Sequence, residues 1–400
     1  MGEQTSRPRS PNLRASCGLN LVALAALSAL GCQGSERAPT LSLLAALPER
    51  DVEVLQAELE TLAPALGPAS VRVQAVPVKV LEESVGALAS QGASSRWDVA
   101  IVPSTWLGRL HQRQAILEVP AYQLRRLQTS VSPLALLAVT VEGTALAYPF
   151  SVDVPALFYN PRYFPQSPAS LAEILAAHLP AGVLPLGLDL HDPNQVFPLF
   201  LAPTGAKFGA TKTAEDAAYA CMRLLGSGPD RLFLWRLWTE PFAGKAQAQF
   251  FAEGRLAALV GGPQLLRLFE TLKVPYAIAS LPPSCSGCEP PRTQARVAAL
   301  VVNSLCPYPD LAQRLALALA SPERNLEINV ATNTLPVVGS AEESQILAAN
   351  PSLFRFQRVL DTATLAPLDE ASEVWEKWER AISAPLAPTA AESSPRRASS

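Results

Sequence analysis

The chain has 400 residues, of which 49% are apolar and 17% are charged, and its formal net charge at neutral pH is −3. This length exceeds one average domain and fits two lobes plus terminal segments. Because the net charge is small and no basic block occurs, nucleic acid is not expected as a partner. The high apolar fraction is typical of a chain with a large buried core.

The N-terminal segment predicts export. Three arginines within the first 14 residues precede an apolar run over 19–30, which is too short to span a bilayer. The run ends in ALGC, where small residues before Cys32 resemble a bacterial lipobox. We therefore expect a signal peptide over 1–31, a lipid on Cys32 and a linker over 32–39. The alternative is an ordinary secretory signal that is cut nearby.

Alternating strands and helices follow the leader. Pro77 lies near the end of the second strand, which favours either an edge position for that strand or the exit of the chain from it. Strands separated by helices imply right-handed crossovers and a mainly parallel sheet. The predicted segments are a strand over 40–47, a helix from Asp51, a strand over 71–78, a helix over 81–90 and a strand over 98–102.

The second half of the chain continues this alternation. A helix is predicted over 170–178, and a helix end at Gly254 precedes a buried strand over 256–260. Pro309 begins a helix that runs to Leu319. Residues 384–400 are rich in Pro, Ala and Ser without apolar periodicity, so they predict a disordered tail.

Residues 148–160 read YPFSVDVPALFYN, a strand-like run that enters a turn at Asp153 and Pro155 and then resumes. This segment resembles the interlobe crossover of the bacterial extracellular solute-binding proteins, in the branch of sugar- and maltodextrin-binding components of ABC importers. The stretch FFAEGRLAALVGGP over 250–263 is similar to a second motif of that family. The shared order of motifs extends over residues 40–382.

The resemblance implies a two-lobed α/β fold of the periplasmic-binding-protein type II. Each lobe would be a mainly parallel sheet flanked by helices, and a hinge would join the lobes. Lobe 1 would comprise 40–150 and 290–340, and lobe 2 would comprise 151–289 and 341–383. Strands at 276–282 and 297–303 would return the chain to the first lobe.

The resemblance also implies two ligand-binding carboxylates. Asp153 occupies the position of a cleft carboxylate in the crossover, and Asp192 lies in an acidic-Pro turn. Carboxylates in sugar-binding sites accept charge-assisted hydrogen bonds from hydroxyl groups. The alternative for each residue is a turn carboxylate that bonds its own backbone.

Aromatic platforms of the maltodextrin binders are replaced here by Asn194 and Gln264, so a maltodextrin itself is not the expected ligand. Trp106, after the third strand, and Trp375, near the C-terminus, remain as candidate platforms. The alternatives are a half-buried surface ring for Trp106 and core packing for Trp375.

The cysteines predict disulfide chemistry rather than a metal site. Cys221, Cys285, Cys288 and Cys306 are an even number in an oxidising compartment, so two disulfides with three possible pairings are allowed. The CxxC pair lies in a Pro-rich loop, and the chain has only three histidines. A structural disulfide is therefore favoured over zinc or redox chemistry.

Catalytic motifs are absent from the sequence: it contains no Gly-rich phosphate loop, G-x-S-x-G elbow or H-E-x-x-H. We expect no enzyme activity, cofactor or metal. The resemblance implies a monomeric lipoprotein on the extracytoplasmic side, which captures a small ligand, a carbohydrate, by hinge bending and delivers it to an ABC permease. The alternative is a degenerate solute-binding fold that serves as an interaction or sensory lipoprotein without a transport role.

Overall fold

The computed structural model describes residues 38–67, 69–86, 97–201, 225, 231–239, 243–338, 344, 348–365 and 371–383. The predicted signal peptide, Cys32 and the predicted tail lie outside the described residues. From Thr40 onward, the described residues form one compact unit that contains both lobes.

The described elements alternate as the sequence predicts. The strands are β1 Thr40–Ala45, β2 Ser70–Ala75, β3 Val99–Pro103, β4 Thr140–Val141, β5 Thr144–Ala145, β6 Tyr148–Asp153, β7 Ala156–Tyr159, β8 Leu184–Gly187, β9 Leu256–Gly261, β10 Ala277–Ala279, β11 Gln294–Val302 and β12 Thr364–Leu365. The helices are α1 Glu49–Leu66, α2 Val78–Gly86, α3 Leu107–Gln112, α4 Ala121–Ser130, α5 Pro133–Ala138, α6 Leu171–Ala176, α7 Pro193–Val196, α8 Arg231–Thr239, α9 Ala243–Ala252, α10 Leu266–Thr271, α11 Pro309–Leu319, α12 Pro322–Thr332, α13 Pro351–Leu360 and α14 Ala371–Ile382. None of these helices has both the length and the apolar character needed to cross a membrane.

Local sequence signals set several helix ends. The Ser170 hydroxyl accepts a hydrogen bond of 3.1 Å from the Glu173 N–H, which caps the start of α6. Gly254 has a φ of 71°, so the chain turns there between α9 and β9 as predicted. Helix α11 has the predicted bounds, because Pro309 fits the first helical position.

The first sheet has the strand order β12–β11–β3–β1–β2, with β6 on β11. Strand β1 pairs in parallel with β2 and β3, as the alternation of strands and helices predicts. Strand β11 runs antiparallel to both β3 and β6. Strand β2 lies at the edge of the sheet, the position favoured by Pro77 just beyond it.

The second sheet has the order β10–β7–β9–β8. Only β8 and β9 pair in parallel, whereas β7 runs antiparallel to β9 and to β10. This sheet differs from the expected mainly parallel pattern. The reason is that β7 and β10 are the strands that enter and leave this lobe, and their direction is set by the crossovers.

The chain changes sheet at Val154 and Pro155, between β6 and β7. The predicted boundary after residue 150 therefore falls inside β6, which stays in the first sheet up to Asp153. The chain returns between β10 and β11. Strand β12 also pairs with β11, so Thr364 and Leu365 belong to the first sheet although the predicted second lobe includes them.

Buried apolar residues cover both faces of the second sheet. On one face the ring of Phe158 packs against Phe269 and Phe356, with centroid separations of 5.2 and 5.6 Å. On the other face Trp238 and Trp378 are fully buried. Each buried aromatic side chain stabilises the fold by roughly 1.5–3 kcal/mol, so the second sheet is held firmly against its helices.

Candidate functional site

The carboxyl ends of β3 and β6 lie at the same edge of the first sheet. Ala298 of β11 is opposite Pro103 of β3 on one side and opposite Ser151 of β6 on the other. Asp153, the last residue of β6, and Trp106, three residues after β3, therefore lie at one edge of the sheet. Crevices outside the carboxyl ends of strands are the usual ligand sites of open α/β sheets.

Two buried asparagines of α12 fix the strand that carries Asp153. The side-chain amides of Asn325 and Asn329 both donate to the Phe150 carbonyl of β6, at 2.6 and 2.9 Å. The Asn325 side-chain oxygen also accepts from the Val337 N–H at 2.9 Å. Because each buried polar group has a partner, this network holds β6 in a single position.

Arg296 links carboxylates of the two lobes. Its Nη2 lies 3.1 Å from Oδ2 of Asp153, which faces it across the β6–β11 pairing. The same nitrogen lies 3.7 Å from Oδ1 of Asp192, in the turn before α7. The two predicted carboxylates therefore both lie close to one nitrogen of the same guanidinium.

Asp153 lies in an environment that opposes its charge. Burial raises the pKa of the Asp153 carboxyl, and the nearby Asp192 raises this pKa further, while Arg296 lowers it. Its Oδ1 is buried and has no hydrogen-bond partner among the described residues. This oxygen is therefore a spare acceptor at the edge where the lobes meet.

Gln195 positions Asp192. Its side-chain amide donates to Oδ2 of Asp192 at 3.3 Å, and its side-chain oxygen accepts from the Asp189 N–H at 3.0 Å. Asp192 thus directs its carboxylate to Arg296 and Gln195. Asp189 forms a bond typical of an Asx turn, since its Oδ1 accepts from the His191 N–H at 2.9 Å. Asn194 lies in α7, and its side chain is outside the description.

Gln264 lies next to Asp153. A Cβ at Gly262 would overlap with Oδ1 of Asp153 and with Oε1 of Gln264. Glycine at this position therefore lets both side chains approach the backbone between β9 and α10. The structure brings Asp153, Asp192, Arg296 and Gln264 together, and ligand contact by them stays a prediction.

The tryptophans differ in their surroundings. Trp106 is half-buried on the core of the first lobe, with the Arg109 guanidinium 5.6 Å from its ring centroid. Trp378 is a core residue whose Nε1 donates to the Leu190 carbonyl at 2.8 Å. Trp375 lies in α14, and its side chain is outside the description.

The structure describes three of the four cysteines that were predicted to form disulfides. Cys285 and Cys288 form a disulfide in the segment between β10 and β11. Cys306 is a buried free thiol, so the expectation that it takes part in a disulfide is not met among the described residues. Burial raises the pKa of the Cys306 thiol to about 12, which keeps it protonated and unreactive. Cys221 lies outside the described residues.

Two members of the site were missed by the sequence analysis. Arg296 carries a detectable signal, since it is the single charged residue in the strand QARVAALVV. Gln195 carries none, because only the fold shows that its amide reaches both Asp189 and Asp192.

Two cavities lined by described residues lie elsewhere. One, of about 520 Å³, lies between β10 and α13, and another, of about 420 Å³, lies among α1, α4 and α11. Neither includes Asp153, Asp192 or Arg296. The site at the crossover is therefore defined by its polar groups and its place between the lobes.

Comparisons with known proteins agree with this architecture. Residues 65–355 match the family described as bacterial extracellular solute-binding protein. No protein of curated function matches the chain by sequence.

Solved structures share the fold. The maltotriose-binding protein of Thermus thermophilus, bound with maltotriose, has a TM-score of 0.71 and 21% identity, over 86% of this chain and 93% of that one. The GacH receptor of Streptomyces glaucescens, solved unliganded and with acarbose, has a TM-score of 0.72 and 18% identity, over 86% and 93%. The maltose/maltodextrin-binding domain of Bdellovibrio bacteriovorus, bound to maltotriose, has a TM-score of 0.71 and 17% identity, over 87% and 95%.

The matched family is one of solute-binding proteins, in agreement with the expectation of a binding protein rather than an enzyme. The two-lobed α/β fold is confirmed by these structural neighbours. The family match covers well over half of the chain, and this chain therefore belongs to the bacterial extracellular solute-binding proteins.

Proposed function

We propose that this protein captures a carbohydrate between its two lobes and delivers it to the permease of an ABC importer. Family membership implies export and a small-molecule ligand. Structural neighbours with bound maltotriose or acarbose support a carbohydrate as the ligand class.

The observation that carries the proposal is the group formed by Asp153, Arg296 and Asp192 at the crossover. Sugar hydroxyls donate to carboxylates and accept from guanidinium groups, and hydrogen bonds to charged partners are the strong ones. Asp153 also offers the buried Oδ1 that lacks a partner among described residues. A bound hydroxyl would satisfy that oxygen.

Aromatic stacking would contribute less than in maltodextrin binders. Trp106 lies at the same sheet edge and offers a half-buried ring. Gln264 lies near Asp153, at the position where the family resemblance implies an aromatic platform, and it offers a polar amide instead. We therefore favour a short or highly polar carbohydrate over a long maltodextrin.

Anchoring and assembly belong to the proposal as well. Lipidation of Cys32 would hold the protein at the extracytoplasmic face of the membrane. The protein would act as a monomer that presents its closed, loaded form to the permease.

A thermal-shift screen of residues 33–400 against sugars, polyamines and short peptides tests the ligand class. A ligand that binds only the folded state raises the melting temperature by mass action. A clear shift with one class of sugar is the expected result. No shift with any sugar would move the assignment to an interaction or sensory role, and a shift with polyamines alone would replace the carbohydrate.

Asp153→Ala tests the site itself. Loss of a charge-assisted hydrogen bond costs about 1.5–3 kcal/mol, so affinity for the sugar should fall roughly 10- to 100-fold in calorimetry. Asp361→Ala is the matched control, because that carboxylate forms an exposed ion pair of 3.3 Å with Arg358 on α13. Equal affinities in the two variants would remove Asp153 from the site.

A further inference from the structure

A buried ion pair joins the two lobes through their helices. Nη2 of Arg267 lies 2.6 Å from Oδ1 of Asp51. Asp51 is in the first turn of α1, which follows β1 of the first sheet. Arg267 is in the first turn of α10, which follows β9 of the second sheet. The pair therefore connects one element of each lobe.

Because the ion pair is buried, each charge is stabilised mainly by its partner. The side chains of Asp51 and Arg267 are 10% and 24% exposed, and the two paired atoms are themselves buried. Neither atom forms a hydrogen bond to any described residue, so the contact between them is an ion pair without hydrogen-bond geometry. Removal of one partner would leave a buried uncompensated charge, whereas separation of the lobes would return both charges to water.

We propose that Asp51 and Arg267 form an interlobe latch, which sets the fraction of molecules whose lobes are together and thereby the affinity of the cleft for its solute. The two residues act as positioning residues. A cleft that is formed in only a fraction of molecules binds more weakly by that fraction. This inference goes beyond the proposed function, because the latch can be measured without any ligand.

The chain offers a matched ion pair inside one lobe. Arg324 of α12 lies 2.9 Å from Glu58 of α1, and these side chains are 33% and 22% exposed. Helices α1 and α12 both belong to the first lobe, since α1 packs on β2 and α12 packs on β6. Loss of this pair should lower stability without releasing one lobe from the other.

The test uses the full chain carrying Cys32→Ser, so that no lipid is attached. Arg267→Gln, Asp51→Asn and Arg324→Gln are compared without ligand by small-angle X-ray scattering and by urea unfolding. Arg267→Gln and Asp51→Asn should each raise the ratio of open to closed molecules about tenfold, seen as a larger radius of gyration. Arg324→Gln should leave the radius of gyration unchanged.

Two further variants keep the test decisive if a single substitution prevents folding. Arg267→Lys retains the positive charge, so the lobes should stay together and the radius of gyration should equal that of the parent chain. The exchange of Asp51→Arg with Arg267→Asp restores an ion pair and should return the radius of gyration toward that of the parent chain. An unchanged radius of gyration in Arg267→Gln, or an equal increase in Arg324→Gln, would overturn the latch.

Discussion

At the scale of single residues, burial and ion pairing have opposite effects on the pKa of Asp153. Its carboxylate pairs with Arg296, which stabilises the charge, and the nearby carboxylate of Asp192 destabilises it. Burial is the larger effect, so the pKa of Asp153 lies above the ordinary value of 3.8. Because burial disfavours its charged form, a hydrogen bond from a ligand hydroxyl would stabilise the Asp153 carboxylate in place of the water it has lost.

The raised pKa predicts a pH dependence of stability. A carboxyl group whose pKa is higher in the folded than in the unfolded state adds stability below the unfolded value of 3.8, and this contribution is lost as pH rises through the folded value. The free energy of unfolding of the parent chain minus that of Asp153→Asn should therefore be largest in acid and decline toward neutral pH.

Urea unfolding of both proteins across this pH window measures the difference. We expect less than about 1 kcal/mol, because solvent screens a group that remains partly exposed. The contributions of other carboxyl groups are the same in both proteins and cancel in the difference. Asp192 is the exception, because it pairs with the same Arg296. A difference that grows with pH would mean that pairing with Arg296 outweighs burial.

At the scale of elements, the second lobe depends on close approach of α9 to the sheet. A Cβ at Gly187, the last residue of β8, would lie 2.6 Å from Cδ2 of Leu256 and 2.9 Å from Oε1 of Gln247. Gln247 is fully buried, and its amide donates to the Leu188 and Leu237 carbonyls at 3.0 and 2.9 Å. Glycine at 187 therefore lets Gln247 join three segments of the lobe.

Gly187→Ala should lower the free energy of unfolding by about 1–3 kcal/mol, because buried neighbours must move to accept the added methyl group. Gly244→Ala is the matched control. Its Cβ would meet Oδ2 of Asp189 at an ordinary 3.6 Å, and alanine favours the helix α9 by about 0.5–1 kcal/mol. Urea unfolding of both variants checks the prediction, and a destabilisation in Gly244→Ala equal to that in Gly187→Ala would contradict it.

At the scale of the whole molecule, one buried cluster runs from the first lobe into the second. It includes Leu43 and Val301 of the first sheet together with Phe158 and Phe269 of the second lobe. Ion pairs at Arg296 and Arg267 add polar links between the lobes. The lobes are therefore coupled by apolar packing near the crossovers and by charges at the facing edges.

Anchoring is a prediction for the whole molecule. Cys32→Ser should move the protein from the membrane fraction to the soluble fraction of the producing bacterium, because the thiol that would carry the lipid is lost. The binding affinity of the released protein for its sugar should be unchanged, which distinguishes release from misfolding. Retention of the variant in the membrane fraction would disprove lipidation at this residue.

The sequence by itself determined the order of strands and helices, since apolar periodicity and local caps act within a few residues. Helix α11 is an example, because its start at Pro309 and its end at Leu319 follow from local signals. The resemblance at the crossover also indicated Asp153 and Asp192. The direction of β7 and β10, and the members Arg296 and Gln195 of the site, were decided only by the tertiary structure. Their contacts join segments that are far apart in sequence, and such pairings depend on how the sheets pack rather than on any local pattern.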